Sequence, residues 1–510
     1  MEKRSAWNRG SHDPDARYNT LFPSLSKDTH FSQPPAYDAF HLDLPDTTKV
    51  ELQNGTKLEF QNHALVRANF SEISSGTDLY KVYAHPDGKG ESPMMQDFYW
   101  AAERNFTHQY TGYPKALDMT QGRGMAAFLP DEDGLNDTAV LSLSAFSATG
   151  HPRDPVIPTS ANMVADYTRV MHNLIREANA TGRTKLIIDL QSNAGGFLTN
   201  LAVIYFSLFP DTNSIIPVLW ELRAHPQLKW LGTELERAGR LFEDFSLPQN
   251  WLTEYTQPNG TAWPDFSSLY GPLTHRGGVN VTHTALINMP ALFANSSANY
   301  TAPTWTTPPF SPENIMLLNN GECASSCAIF TTIMTIHHGI RSVAIGGRPL
   351  TAPMQSIGQV NGGPGQSAAL WSNYARGLNL STLPSGTRFF NESNPPMRVL
   401  SWIFPGDGMA LNWGNIYPLK EEEGTPEWER GTVPVQFRYK AANCRLFYTW
   451  DGVKKMSSLW GMVRDVAWGG GRCVKGSTTD PQDKMGKGTK ELDKDVVGDR
   501  WGIGAGVGAG

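Results

Sequence analysis

Apolar and polar positions change period several times along the chain, and each change predicts an element. In "KVELQNGTKLEFQNHALVRANF" (49–70) they alternate on both sides of Asn54-Gly55, the strongest short hairpin signal. From Ala139, "AVLSLSAFS" predicts a strand, and "ANMVADYTRVMHNLIREANATG" repeats apolar residues at helical spacing and stops at Gly182. "KLIIDLQSNAGG" (185–196) is a buried strand running into a glycine turn, and "FLTNLAVIYFSLFP" after it is an apolar helix. A stretch from about 225 to 310, rich in Pro, Asn and Trp, interrupts the pattern and reads as a loop-rich surface insertion. The strand "NIMLLNN", the helix "SCAIFTTIMTIHHG" and the strand "SVAIGG" then resume it. Strand–helix–strand alternation of this kind predicts an α/β layer architecture. Residues 1 to about 45, rich in Pro, Asp and Ser, read as loop or an incomplete element, and a first small β-rich unit ends near residue 90. The tail, 474–510, is rich in Gly, Lys and Asp and is predicted to be disordered.

Composition narrows the function classes. With 510 residues, 40% of them apolar, the chain can build a large core in two or three domains. A net charge of -6 argues against a nucleic-acid partner, which needs a basic stripe to track phosphates. No run of 18 apolar residues is present, so no membrane span is predicted. There is no H-E-x-x-H, no phosphate-cradling P-loop, no G-x-G-x-x-G after a strand and no G-x-S-x-G elbow, so no metal or cofactor is predicted.

Asn-x-Ser/Thr occurs eleven times, at Asn54, Asn69, Asn105, Asn136, Asn179, Asn259, Asn280, Asn295, Asn299, Asn379 and Asn391. Such sites are used only in the secretory path, so a secreted glycoprotein is expected. Four cysteines, Cys323, Cys327, Cys444 and Cys473, allow two disulfides in any of three pairings, and their spacing is a poor match to zinc. The start, "MEKRSAWNRGSHDPDARYN", is polar throughout and lacks the apolar stretch of a signal peptide. Either the chain is intracellular, or its natural start is missing.

The chemistry concentrates in "NGECASSCAIF", residues 320–330. Ser325 stands between a strand end and a helix start, where a hydroxyl is exposed and the free N–H groups of the first turn point at whatever it attacks. The N–H of Ser326, next along, supplies half of an oxyanion hole. The bland alternative is that Ser325 or Ser326 only caps the helix. A second strand-to-helix turn, Asn193-Ala194-Gly195-Gly196, lets backbone N–H groups approach a ligand with no side chain in the way; its bland reading is a plain tight turn. Both turns lie at carboxyl ends of strands, where ligands of open α/β sheets gather.

These residues carry a family resemblance. "KLIIDLQSNAGG", then "NGECASSCAIF" and "AIGGRPLTAPMQSIGQVNGG", resemble the S41 peptidases, the tail-specific serine proteases. The nearest branch is the fungal secreted one related to chlamydial protease-like activity factor, and the likeness runs over residues 13–449. Ser325-Ser326-Cys327-Ala328-Ile329-Phe330 overlays the family pattern around the nucleophile. The resemblance implies a ClpP/crotonase-like ββα spiral core over 91–473, preceded by a PDZ-like domain of which residues 1–90 are a remnant. It implies Ser325 as nucleophile and an oxyanion hole from Gly195 or Gly196 with Ser326. Cys327, at the start of the helix where thiolates are stabilised, is the rival nucleophile. The implied function is a serine endopeptidase acting on peptides or proteins. Fungal relatives of this type accompany ribosomally made peptide toxins of the ustiloxin and phomopsin kind, where precursor processing is the expected role.

The general base is unassigned. Bacterial relatives use a lysine about 25 residues after the serine; here that position is Leu350, and no lysine lies between Ser325 and Lys420. The fungal branch uses instead a histidine in a His-Asp-Gly-His-like segment upstream of the PDZ-like part, which this chain lacks. His337 and His338 lie three turns along the helix, roughly 18 Å away at the helical rise. His12, His63, His85, His108 and His151 are read as ordinary surface or core histidines. Lys440 stands where the resemblance implies an acid. The alternative function is therefore a catalytically incomplete peptidase-like scaffold. The oligomeric state is not encoded in any motif.

Overall fold

In the computed structural model, residues 11–28, 46–61, 73–79, 112–147, 160–236, 254–359, 365–367 and 410–490 are described, apart from short gaps within those spans. The chain forms two units. One comprises Met1–Ser32, His108–Pro364 and Trp413–Gly510; the other comprises Gln33–Thr107 and Gly365–Asn412.

The first unit is built on a seven-stranded sheet that follows chain order: β1 (Asp118–Met119), β2 (Met125–Phe128), β3 (Thr138–Leu143), β4 (Lys185–Asp189), β5 (Ile315–Asn319), β6 (Arg341–Ile345) and β7 (Cys444–Leu446). The pairs β1–β2 and β2–β3 are antiparallel, and every later pair is parallel. Continuous apolar runs such as Leu186-Ile187-Ile188 suit a sheet covered on both faces. Successive side chains go to opposite faces. Leu141, Leu186, Ile188, Ile315 and Leu317 join one core, while Val140, Ile187, Met316, Leu318 and Trp460 join the other.

The first core is roofed by α2 (Ser160–Ala180), α3 (Leu198–Leu208) and α4 (Ser326–His338). α2 turns Val164, Tyr167, Met171, Leu174 and Ala178 inward at helical spacing and gives way at Gly182, whose φ of 69° suits a glycine terminator. Those buried residues are the ones that the sequence periodicity marks. The N-terminal helix α1 (Pro14–Asn19) falls in a stretch expected to be loop. Asp13 caps it by accepting from the N–H groups of Asp15 and Ala16, with Pro14 in the first turn.

α1 is anchored by ion pairs. Arg348 donates from Nε and Nη2 to the two oxygens of Asp15, at 3.0 Å each, and all the side chains concerned are buried. Arg445 approaches the same carboxylate at 3.4 Å and donates to the carbonyls of Gly346, Arg348 and Ala352. Two fixed guanidinium forks around one carboxylate give the geometry that a buried ion pair needs to offset its desolvation.

The 225–310 stretch is more than surface loop. Its Ala285–Asn288 strand pairs with Ile215–Leu222, which also pairs with Gly414–Pro418, and Tyr255–Thr256 completes a four-stranded antiparallel sheet. Ala285, Leu286 and Ile287 are buried there, so the strand is held by packing that local composition does not reveal.

The expectation of disorder from 474 onward also fails for residues 474–490. Val474 donates to the Arg445 carbonyl, the Asn443 amide donates to the Lys487 carbonyl, and a Cys444–Cys473 disulfide ties the segment to β7. Residues 491–510 lie outside the described residues.

In the second unit, Thr47–Glu51 pairs antiparallel with Lys57–Gln61, Val50 opposite Leu58, around Gly55 at φ 83°. This is the expected hairpin, although 62–70 lie outside the described residues. Gly365–Ser367 pairs with Ala410–Asn412.

At the far end of α4, His338 stacks on Phe209 at 3.6 Å and is hydrogen-bonded to the Tyr205 hydroxyl at 3.0 Å. Burial, then the neighbouring His337, pushes its pKa down to about 4, against a smaller opposing effect of Asp211. A depressed histidine pKa means that the unfolded chain binds more protons between pH 6.5 and 4, so stability falls as pH falls through that window. A His338→Gln variant is expected to lose less of its thermal midpoint between pH 6.5 and 4.5 than the parent does. Equal losses would show that another group sets the acid limb.

Candidate active site

β4 ends at Asp189 and β5 at Asn319, side by side in the sheet, and each runs into a turn that starts a helix. Parallel pairing therefore brings the two turns together. Asn193 and Cys323 form an isolated parallel bridge, in which the Ala324 N–H donates to the Asn193 carbonyl at 3.2 Å.

Ser325 occupies the cap position of α4 with φ 52° and ψ -123°, and its side chain makes no capping hydrogen bond. The capping reading fails on that geometry. An L residue held in such a conformation costs on the order of 1–3 kcal/mol and persists only where its surroundings impose it. Ser326 does not cap either. It is the first helical residue, and its hydroxyl donates to the Gly196 carbonyl at 2.7 Å.

Cys327 is excluded as the nucleophile because it is bonded to Cys323, and both are buried. The pairing is Cys323–Cys327 and Cys444–Cys473, so the first bridge spans Ser325 instead of tying the serine turn to β7.

The glycine turn fits against the serine turn. Both glycines have positive φ, 102° at Gly195 and 140° at Gly196. A methyl group added at Gly195 would stand 2.7 Å from the Ser325 Cβ and 3.0 Å from the Ser326 nitrogen. No other residue fits there.

The two glycine N–H groups differ. That of Gly195 donates to the Asn193 Oδ1 at 2.8 Å, and Gly195 is buried. Gly196 is exposed, and among the described residues its N–H makes no backbone hydrogen bond. The Ser326 N–H likewise donates to no described backbone carbonyl. Ala194, Gly196 and Phe197 are exposed on either side of the buried Gly195.

Under the turns lies a buried polar layer. Asp189 accepts from Trp460 Nε1 at 2.8 Å and from the Gln191 N–H at 3.1 Å, and burial raises its pKa. Gln191 in turn accepts from the Tyr448 hydroxyl at 2.8 Å. The Asn320 and Asn193 side chains bond the backbone of the same two turns; the quoted motifs contain Asp189, Gln191, Asn193 and Asn320, but nothing in the sequence assigns these side chains a role.

No described histidine is hydrogen-bonded to Ser325. His337 and His338 end α4 and are held away from the serine by their own contacts. His12 is linked to the serine turn through backbone: its N–H donates to the Gly358 carbonyl, and the Gly358 N–H donates to the Gly321 carbonyl. Burial lowers the His12 pKa. His63, His85, His108 and His151 lie outside the described residues. Lys440 Nζ donates to the Thr335 hydroxyl at 3.2 Å, well along α4.

Comparison with known proteins gives related chains over nearly the whole length. Residues 1–71 match a CPAF-like PDZ domain. The chain is 27% identical over 501 residues to Peptidase S41 family protein ustP of Aspergillus flavus, an alignment covering 91% of this chain and 98% of that protein. It is 25% identical over 530 residues to Peptidase S41 family protein phomP1 of Diaporthe leptostromiformis, covering 92% and 74% respectively. Among solved structures, the crystal structure of mature CPAF aligns with a TM-score of 0.38 and 9% identity, covering 84% of this chain and 68% of that one.

The disulfide across the nucleophile turn closes a ring of about five residues, which the chain-entropy relation values at about 2 kcal/mol. A Cys323→Ala/Cys327→Ala double variant is expected to unfold at lower denaturant with unchanged slope, reporting a loss of that order. A midpoint equal to the parent's would mean the turn holds itself.

Proposed function

We propose that this chain, an S41-type serine peptidase, hydrolyses peptide bonds with Ser325 as its nucleophile. The observation that carries the reading is the strained Ser325, which caps nothing, packed against a glycine turn whose outer residue, Gly196, is exposed and donates to no described backbone carbonyl. The serine oxygen adds to the substrate carbonyl as its proton passes to a base, giving a tetrahedral oxyanion. Collapse expels the amine, which takes up that proton, and leaves an acyl-enzyme; water then releases the acid by the same steps.

The N–H groups of Gly196 and Ser326 receive the oxyanion. Gly195 serves by its lack of a side chain, since its own N–H is held by Asn193. A base in this account is a neutral imidazole, and His12 is the first to test because burial favours its neutral form and its segment is bonded to the serine turn. The scaffold reading is not favoured by relatives that carry the peptidase name over most of their length.

The substrate class is peptide or protein, and processing of a secreted or ribosomally made peptide precursor is the finer reading, drawn from the family resemblance. A secretory route accords with sequons at Asn54, Asn136, Asn179, Asn259 and Asn280, all exposed, and with two disulfides. No described helix is long and apolar enough to cross a membrane.

Casein hydrolysis is expected to fall by roughly a thousandfold or more in Ser325→Ala. Ser325→Gly is expected to be equally inactive yet more stable by about 1 kcal/mol, because glycine adopts positive φ without strain. Casein cleavage that survives Ser325→Ala would assign the nucleophile elsewhere.

A further inference from the structure

Asn320 follows β5 and is 1% exposed. Its Oδ1 accepts two backbone N–H groups, that of Ser192 at 3.0 Å and that of Glu322 at 3.1 Å. Its Nδ2 donates to the Ser192 hydroxyl at 3.0 Å, and its own carbonyl accepts from the Asn19 side chain at 2.7 Å. Ser192 lies three residues before Gly195, and Glu322 lies three residues before Ser325. One side-chain oxygen thus fixes both turns at the same distance from their working residues. Ser192 is itself held at φ 59°, a conformation that the two bonds from Asn320 support.

We infer that Asn320 is a positioning residue for the reaction: it sets the register of the glycine turn against the serine turn, so that the Gly196 and Ser326 N–H groups converge on one oxygen. The inference rests on the serine-peptidase reading. The amide side chain suits the place: its oxygen accepts twice, its adjacent nitrogen donates once, and it brings no charge into a buried position; of these, the accepting oxygen is what joins the two turns. An oxyanion hole needs its donors 2.7–3.1 Å from the developing charge, and a misplacement of about 1 Å costs on the order of a hundredfold in rate. Asn19 extends the same contact to the N-terminal helix: its amide donates to the Asn320 and Ile345 carbonyls at 2.7 and 2.9 Å, and its Oδ1 accepts from Gly347.

The test measures turnover of a peptide ester, together with KM and thermal midpoint, for the full chain: per titrated active site in the parent, Asn320→Ala and Asn320→Asp, and per mole of folded protein in Ser325→Ala. Asn320→Ala is expected to lower kcat by about a hundredfold with KM within about threefold of the parent. Asn320→Asp keeps the accepting oxygen and is expected to recover at least about tenfold of that loss. A packing role alone would lower the thermal midpoint and leave kcat per titrated site unchanged, and that result overturns the inference while Ser325 dependence stands. Turnover independent of Ser325 overturns the peptidase reading and this inference with it. Should Asn320→Ala not fold, Asn320→Ser carries the same two outcomes, because its single shorter oxygen cannot reach both N–H groups.

Discussion

Gly195 sits so near the serine turn that a single added carbon would lie 2.7 Å from both the Ser325 Cβ and the Ala324 carbonyl oxygen. That close approach of two strand-to-helix turns is the constraint from which the rest of the site follows. It requires glycine on one side and lets the Ser326 hydroxyl reach the Gly196 carbonyl at 2.7 Å. It also packs the glycine turn against the residue that we propose as nucleophile. Parallel pairing of β4 with β5 brings the turns together. Ser325 carries the strain, between a disulfide that spans it, the helix that starts after it and the glycine turn packed against it.

Support for the turns comes from far along the chain. α1 is bound to the loop after β6 through Asp15, Arg348 and Arg445, and its last residue, Asn19, bonds the backbone at Asn320, Ile345 and Gly347. Residues separated by more than 300 positions therefore meet under the serine turn. Such contacts are paid for by chain entropy and recovered only in the complete fold, so stability and site geometry are linked through the same buried groups.

Much of this was legible in the sequence, and the limits have physical causes. The strand–helix alternation, the α2 periodicity and the two glycine- and serine-bearing turns stand out because burial on a sheet face or helix face leaves a period in the residues. The resemblance to S41 peptidases holds over nearly the whole chain. The cap signal of α1, Asp13 followed by Pro14, was present but short, since a six-residue helix is held by Asp15 and Asn19 and not by its own propensity. The 474–490 segment has the composition of a solvated tail and is ordered by Asn443, Arg445 and a disulfide instead. Disulfide pairing and the role of Asn320 depend on distances through space, which spacing along the chain does not encode. The histidine that would serve Ser325 was not identifiable from sequence for the same reason.

The central claim, that Ser325 is an activated nucleophile, is tested most directly by reacting the folded chain with a fluorophosphonate and locating the adduct by peptide mass spectrometry. Such reagents label a serine only when a working base and oxyanion hole activate it. The account predicts one adduct, on the peptide carrying Ser325, and none in Ser325→Ala. No adduct on folded protein, or one that persists in the variant, would contradict it.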